Sequence, residues 1–529
     1  MVRLFKSRRG RISWLTTAVT AGVVGTAGVV GTVSMQSGSK SPPPQAVSID
    51  VEDSSSPALK ASPAKKMRPP SPGGSGVRES LSDLKGDDEP SRLPPVSELQ
   101  SDPLATAVPL QLADSEVASP EFTQVEVHFA TDRERVDPKS LLLWIRILFP
   151  ASLGCVICLV MGIGLLKGRE KWLWGIGLTL GIVLTALFSH HALIYSQQAK
   201  RLAATDSATF GTRRFEATVH YPLHLGIGYV TIPRIHKKGS VEQPDLIHLE
   251  FREDPKKHVM LQRVEVQEEG DFFNSLKEKV NSAKSKSTFV FIHGYNVQFA
   301  DALSRTAQIK KDLDFDGPAI LYSWPSHGDL FAYSMDGDNA AWTIAHLERF
   351  LKDVKARTEA KDIHVIAHSM GNRALVGALQ RLAANREVEQ PFFSQIVMAA
   401  PDVDASEFRE LYAKSVDQCS RRSTLYTSST DRALLASMRI HGYPRLGLSS
   451  GTPLQFEGID TIEVSPIDPS LLGHSYYGSH PLLIRDLQAI IELDEPPSLR
   501  DWLIPFADSP TKVAWRFSPR ITAEESLKR

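Results

Sequence analysis

An excess of charge is missing from this chain: 60 Lys and Arg face 61 Asp and Glu in 529 residues, a net charge of −1. So balanced a surface carries no footprint for a polyanion, and nucleic-acid binding is not expected. Cysteine is scarce too. Three are too few for a disulfide framework. Cys155 and Cys158 make a C-x-x-C, but their surroundings are apolar, without a nearby His or acid; they read as small residues of an apolar helix rather than a redox or metal site. Cys419 stands alone. Aromatic residues are missing between Gln36 and Pro120, where Ser, Pro and charge prevail (Pro42-Pro43-Pro44, Pro69-Pro70, Ser71-Pro72-Gly73-Gly74). Such a stretch cannot bury enough apolar surface to offset its chain entropy. Residues 37–120 are therefore predicted to be a disordered tether.

What the chain does have, early on, is uncharged length. Arg3, Lys6, Arg8, Arg9 and Arg11 precede an apolar run from Trp14 to Met35, long enough for a bilayer, which needs ~20 residues. Residues 1–36 read as a signal or anchor helix, a retained anchor being favoured and a long cleaved signal peptide the alternative. A second apolar region, 141–196, reads as a transmembrane hairpin. Ile147 to Leu166 and Trp172 to Tyr195 are its two arms, and Lys167-Gly168-Arg169-Glu170-Lys171 is its turn. Trp172, Trp174 and Tyr195 fall where interfacial aromatics sit, with His190 and His191 near the same boundary. The basic N-terminus stays inside, so the tether lies outside, the turn inside, and everything after Tyr195 outside. The hairpin returns the chain to the side it left. A strand before it, Phe122 to Ala130 within 121–138, followed by Thr131-Asp132-Arg133, can then join the domain after it, 197–493. Residues 494–529 form an extension in which Val513 to Phe517 could add a strand.

The domain alternates strands with helices. Ile227 to Ile232, Leu246 to Phe251, His258 to Val266, Thr288 to Ile292, Ala319 to Tyr322, Asp362 to Ala367, Ile396 to Ala400, Thr424 to Thr427 and Thr461 to Val464 read as strands. Phe272 to Val280, Phe299 to Leu313, Leu347 to Val354, Asn372 to Leu382 and Leu483 to Ile491 read as helices. This alternation predicts a mostly parallel sheet flanked by helices, with functional loops at the carboxyl ends of the strands.

The organising stretch is Asp362-Ile363-His364-Val365-Ile366-Ala367-His368-Ser369-Met370-Gly371. A buried strand, a sharp turn carrying Ser between small residues and a following helix make a nucleophile elbow, here with Ala367 in place of the usual first Gly. A Ser hydroxyl needs a base, and a base needs an orienting acid. The chain order Ser, acid, His is met by Ser369, Asp431 and His474. Asp402 competes for the acid role, after the preceding strand; Asp431 has the bland alternative of capping the helix after it. His480 competes with His474 but opens the last helix. The oxyanion donors would be the N–H groups of Met370 and Tyr295, the latter in His293-Gly294-Tyr295. His293 reads as structural, His364 and His368 as packing, and Trp324 as either core or pocket wall. No metal or organic cofactor is called for.

Taken in order, VEVHFATDR (Val125 to Arg133), Phe210-Gly211, GYVTIP (Gly228 to Pro233), FIHGYN, YSWPSHG, IAHSMGNRAL, AAPDVD, SSTDRALLAS and GHSYY resemble the bacterial esterase/lipase-like α/β-hydrolases of the DUF900 group, from about Gln124 to Ile491 with the hairpin interposed. The resemblance implies an α/β-hydrolase fold and the triad Ser369, Asp431, His474; it implies no substrate. The expectation is a serine hydrolase acting on a small-molecule or lipid ester, anchored in a bacterial inner membrane with its catalytic domain on the extracytoplasmic side. Thioester or amide cleavage and acyl transfer use the same parts and stay open. So does a membrane-tethered binding module on an inactive hydrolase fold, against which the intact ordered Ser, Asp, His set argues.

Overall fold

A computed structural model describes residues 121–137, 171–213, 223–329, 332–385, 390–449, 453–465, 480–509 and 512–518. The predicted segments Trp14 to Met35 and Ile147 to Leu166, and the tether, lie outside these residues.

The strands are β1 (Phe122–Thr131), β2 (Arg135–Val136), β3 (Thr209–Phe210), β4 (His224–Pro233), β5 (Met260–Gln267), β6 (Ser287–Ile292), β7 (Ala319–Ser323), β8 (Asp362–His368), β9 (Phe393–Ala399), β10 (Ser420–Thr427), β11 (Ile459–Glu463), β12 (Leu503–Ser509) and β13 (Lys512–Phe517). The helices are α1 (Lys171–Ala204), α2 (Glu269–Ser282), α3 (Phe299–Leu313), α4 (Tyr333–Trp342), α5 (Ile344–Arg357), α6 (Gly371–Ala384), α7 (Ala413–Cys419), α8 (Arg432–His441) and α9 (Pro481–Ile491). Eleven strands form one sheet in the order β12-β13-β11-β10-β9-β8-β6-β7-β1-β4-β5. From β1 through β13 the neighbours pair parallel; β4, β5 and β12 run antiparallel to their neighbours.

The central strands β6, β7 and β9 are buried along their whole length because both faces are covered. Along β6, Phe289 and Phe291 enter one core with Leu303 and Ile309 of α3 and Leu487 of α9. Val290 and Ile292 enter the other, with Leu276 of α2, Leu351 of α5 and Leu375 of α6. The helical spacings read from the sequence supply these faces: Leu347, Phe350, Leu351 and Val354 are the buried residues of α5. β1 is not peripheral. It pairs with β4 over its whole length and parallel to β7 from Val127 to Thr131. The extension after Asp494 supplies a hairpin whose β13 lies parallel to β11.

Two expectations need correction. Leu246 to Phe251 is a turn, not a strand. The Asp245 carboxylate accepts from Ile247 N at 2.8 Å, Glu250 N bonds Asp245 O at 2.9 Å and Leu249 has φ +57°. A local side-chain acceptor outcompetes the ladder here. The second correction concerns Trp172 to Tyr195. It is helical, but α1 runs on to Ala204, and its last turns dock on the domain. Ala199 and Leu202 are buried, and Arg201 pairs with Glu253 at 2.6 Å and donates to Leu261 O at 2.9 Å. Among the described residues no helix is long and apolar enough to cross a membrane.

A histidine clamp holds the loop after β4 to α3. His236 Nδ1 lies 2.8 Å from Glu242 Oε2, and its Nε2 lies 2.8 Å from Asp312 Oδ1. Burial opposes the ring's charge, but hydrogen bonds to Asp312 and Glu242 outweigh it and raise its pKa to about 9. A raised folded pKa gives stability that is full below the unfolded value of ~6.5 and lost as pH rises through about 9. After discounting for partial solvent screening, melts of wild type and His236→Gln should differ by on the order of 2 kcal/mol at pH 6 and converge by pH 10. A constant difference would show that the ring acts only by packing.

Candidate active site

Ser369 follows β8 directly, with φ at +52°, a left-handed conformation costly for a residue with a Cβ. The surroundings over-determine it. Ser369 N donates to Ala399 O of β9 at 2.9 Å, and Ser369 O accepts from Asn372 N at 3.1 Å and Asp402 N at 3.2 Å. The Asn372 amide also donates to Ala367 O and Ser369 O. Small neighbours are obligatory. A Cβ on Gly371 would lie 2.3 Å from His293 O, and one on Gly294 would lie 2.6 Å from His368 Nδ1 and 3.0 Å from Ser369 Cβ. The loop after β6 is thus in contact with the elbow. α6 begins at Gly371, so its positive end faces Ser369. Met370 is fully buried at the first turn. In the neighbouring loop the Tyr295 ring stands edge-on to Tyr333 at 5.1 Å; burial, with Asp336 and Asp329 nearby, pushes its hydroxyl up to about 12.

This loop is braced from behind by His293, read from the sequence as structural, by Trp324, and by Arg133, to which the sequence reading gave no role. Arg133, just past β1, is buried. Its Nε donates to Ser323 Oγ at 2.8 Å, NH1 to Gly211 O at 2.8 Å and Ser326 O at 2.7 Å, and NH2 to Val297 O at 2.9 Å, with NH2 3.2 Å from His293 Nε2. His293 stacks on Trp324 with ring centroids 5.1 Å apart, and Trp324 Nε1 donates to His293 O at 2.7 Å. Burial and the adjacent Arg133 hold His293 near a pKa of about 3. The ring is therefore neutral; Nδ1 lies 2.8 Å from Gly294 O, and Nε2 lies 3.1 Å from Trp324 O and 3.2 Å from Arg133 NH2. Trp324 is core, fully enclosed. His364 is likewise held neutral, by burial, near about 4. Asp336 anchors the next loop, accepting from Ser326 Oγ at 2.7 Å and His327 N at 2.9 Å.

The two acids have different surroundings. Both carboxylate oxygens of Asp402 are occupied: Oδ1 by Ser437 Oγ (2.6 Å) and Arg445 Nε (2.8 Å), Oδ2 by Tyr333 OH (2.5 Å) and Arg373 NH2 (2.9 Å). Burial works against its charge, but Arg373 and Arg445 prevail and hold its carboxyl below the ordinary range. These four donors occupy both oxygens of Asp402. Asp431 lies past β10, fully buried, and one oxygen accepts from Leu434 N at 2.9 Å as the N-cap of α8. The capping role is therefore present, and it uses one side of the carboxylate. His474 lies outside the described residues. His480 is the N-cap of α9, its Nδ1 accepting from Leu482 N at 3.2 Å.

Glu463, at the end of β11, was not foreseen. It accepts from Ser429 N at 3.4 Å and Ser465 N at 3.1 Å, and from the hydroxyls of Ser449 and Ser465. It ties the loop leading to Asp431 to the loop leading toward residue 474. A cleft of about 500 Å3 lies at the opposite, amino ends of the strands, beside Ser287, Asp362, His364, Gln395 and Arg421, away from the elbow. Among the described residues no group of three or more His, Cys, Asp and Glu could hold a metal ion.

Comparison with known proteins fits this architecture. Residues 268–492 match the family described as alpha/beta hydrolase of unknown function (DUF900); β1, β4 and β5 precede the matched stretch, although they extend the same sheet. An uncharacterized protein of Nostoc sp. (strain PCC 7120), alr1448, is 23% identical, covering 42% of this chain and 73% of that protein. The crystal structure of a lipase-esterase related protein from Clostridium acetobutylicum ATCC 824 is 16% identical, covering 40% of this chain and 94% of its own, with a TM-score of 0.20. The family match and the parallel sheet, with its helices on both faces, make this an α/β-hydrolase-like fold.

Proposed function

We propose that this chain is a serine hydrolase that cleaves carboxylic esters through an acyl-enzyme. The observation that carries the reading is Ser369 held at φ +52° with Gly294 packed against its Cβ. Strain of this kind persists where a nucleophile and an oxyanion site must share one small space. In the proposed mechanism His474 takes the Ser369 proton as Oγ attacks the ester carbonyl, and Asp431 fixes and stabilises the imidazolium. The N–H groups of Met370 and Tyr295 receive the oxyanion. Collapse expels the alcohol, protonated by His474, and water attacks the acyl-Ser369 by the same route in reverse.

Attachment to a membrane is part of the reading. It is supported by α1, which has no Asp, Glu, Lys or Arg between Lys171 and Lys200 and exposes Ile182, Val183 and Leu187. We place the catalytic domain outside the cytoplasm of a bacterial inner membrane from the basic N-terminal flank. A reporter active only in the cytoplasm, fused after Arg529, should then be silent; an active one refutes that side.

The test of the chemistry is fluorophosphonate labelling of the detergent-solubilised full-length chain. Wild type should label and Ser369→Ala should not. Absence of label on folded wild type, or label persisting in Ser369→Ala, sinks the proposal.

A further inference from the structure

Large exposed apolar side chains gather where α1 meets the loop after β4. Ile182, Val183, Leu187 and Leu193 are exposed on the helix; Ile247 (86% exposed), Leu249 (71%) and Phe251 are exposed on the loop. The two segments are locked together. His190 Nε2 lies 2.6 Å from Glu250 O, Gln197 donates to Phe251 O at 2.8 Å, and Glu253 N donates to Gln197 at 3.2 Å. Between them lies an open groove of about 520 Å3 lined by Leu187, His190, His191, Val241, Pro244 and Leu246, among others. The acids of the loop are paired: Asp245 with His248, both exposed, Glu250 with His258 and Lys257, and Glu253 with Arg201. The turn that presents Ile247 and Leu249 is built, not slack, since Asp245 caps it and Leu249 adopts φ +57°.

We infer that the turn 245–251 is an interfacial anchor that seats Ile247, Leu249 and Phe251 at the headgroup boundary of a lipid bilayer beside α1. The occupant is lipid rather than protein because of the helix it adjoins. A water-facing helix carries charge on its outer face, and α1 carries none between Lys171 and Lys200 while exposing aliphatic residues along the segment that flanks the turn. An apolar patch continuous with such a helix meets the same solvent as the helix. The consequence is orientation: two attachments, helix and turn, fix the tilt of the domain over the surface where one would leave it free to swivel.

This inference rests on the membrane attachment proposed above, and the experiment separates the two. Full-length chain with Cys155 and Cys158 replaced by Ser carries Ile247→Cys, or Leu499→Cys as an exposed control, labelled with an environment-sensitive fluorophore. It is reconstituted into phosphatidylcholine/phosphatidylglycerol vesicles and floated. The label at 247 should be quenched by lipid-borne nitroxide and shielded from iodide several-fold more than the label at 499. Protein that floats while both labels are equally open to iodide overturns the anchor and leaves membrane attachment standing. Shielding without nitroxide quenching overturns it in favour of a protein partner. Failure to float overturns both readings.

Discussion

Ser369→Ala should lower ester turnover about 10⁶-fold, and Asp431→Asn about 10⁴-fold, with the melting temperature of each close to wild type. The second variant is the more discriminating. Asp431 caps α8 through Leu434 N, and Asn caps a helix as well as Asp does. If the cap were its whole role, Asp431→Asn would be silent in every assay. If it orients His474, the amide holds the imidazole in the wrong tautomer and turnover collapses while the fold stays intact. Asp402→Asn should do the reverse. That carboxylate balances Arg445, which is buried, and Arg373, and breaking a buried pair from one side costs about 3–5 kcal/mol. Its effect should appear in the melting temperature first. With a depressed folded pKa, the stability from Asp402 is present above the ordinary aspartate range and lost as pH falls through its lower folded value. The wild-type advantage over Asp402→Asn should therefore shrink below about pH 4. Chemical denaturation alongside steady-state ester hydrolysis reads both arms. Loss of turnover without loss of stability in Asp402→Asn would return Asp402 to the catalytic acid.

The parts legible in the sequence are those where one physical demand dominates. β6, β8 and β9 must be apolar on both faces, so their runs announced a parallel centre. Gly371 must be small because a Cβ there would lie 2.3 Å from His293 O; that is a steric rule, and with Ala367 it leaves a spacing around Ser369. What was missed depends on partners far apart in the chain. Arg133 reads as a surface charge until Gly211, Val297 and Ser326 are seen to offer it carbonyls. Glu463 reads as the polar end of a strand until the hydroxyls and N–H groups around it converge. Leu246 to Phe251 was misread because apolar composition outweighed a single capping Asp245. Here the apolar residues point outward, the one arrangement that periodicity does not distinguish from a buried strand.

Arg133→Met should both unfold the domain more easily and slow fluorophosphonate labelling of what remains folded. The guanidinium holds acceptors from three separate loops, at Gly211, Val297 and Ser326, and touches His293 and Ser323. Each buried carbonyl left unpaired costs about 1–3 kcal/mol, so a loss of at least about 3 kcal/mol is expected. The second effect follows from position. The loop that Arg133 braces carries Gly294 and Tyr295 against Ser369, and losing an aligned oxyanion donor costs roughly 10²–10³ in rate. Burial lowers the pKa of Arg133 only to about 10, so it remains charged at any working pH, ringed by neutral acceptors. Arg133→Lys keeps a charge but not the fork that reaches all of them. It should recover part of the stability and little of the labelling rate. Equal recovery of both would mean that the charge alone matters; a normal labelling rate in a destabilised Arg133→Met would detach β1 from the chemistry. Arg133 follows β1 and Gly211 follows α1, so their hydrogen bond, with β1 paired to β4 and β7, makes the loop beside Ser369 depend on chain segments on both sides of α1.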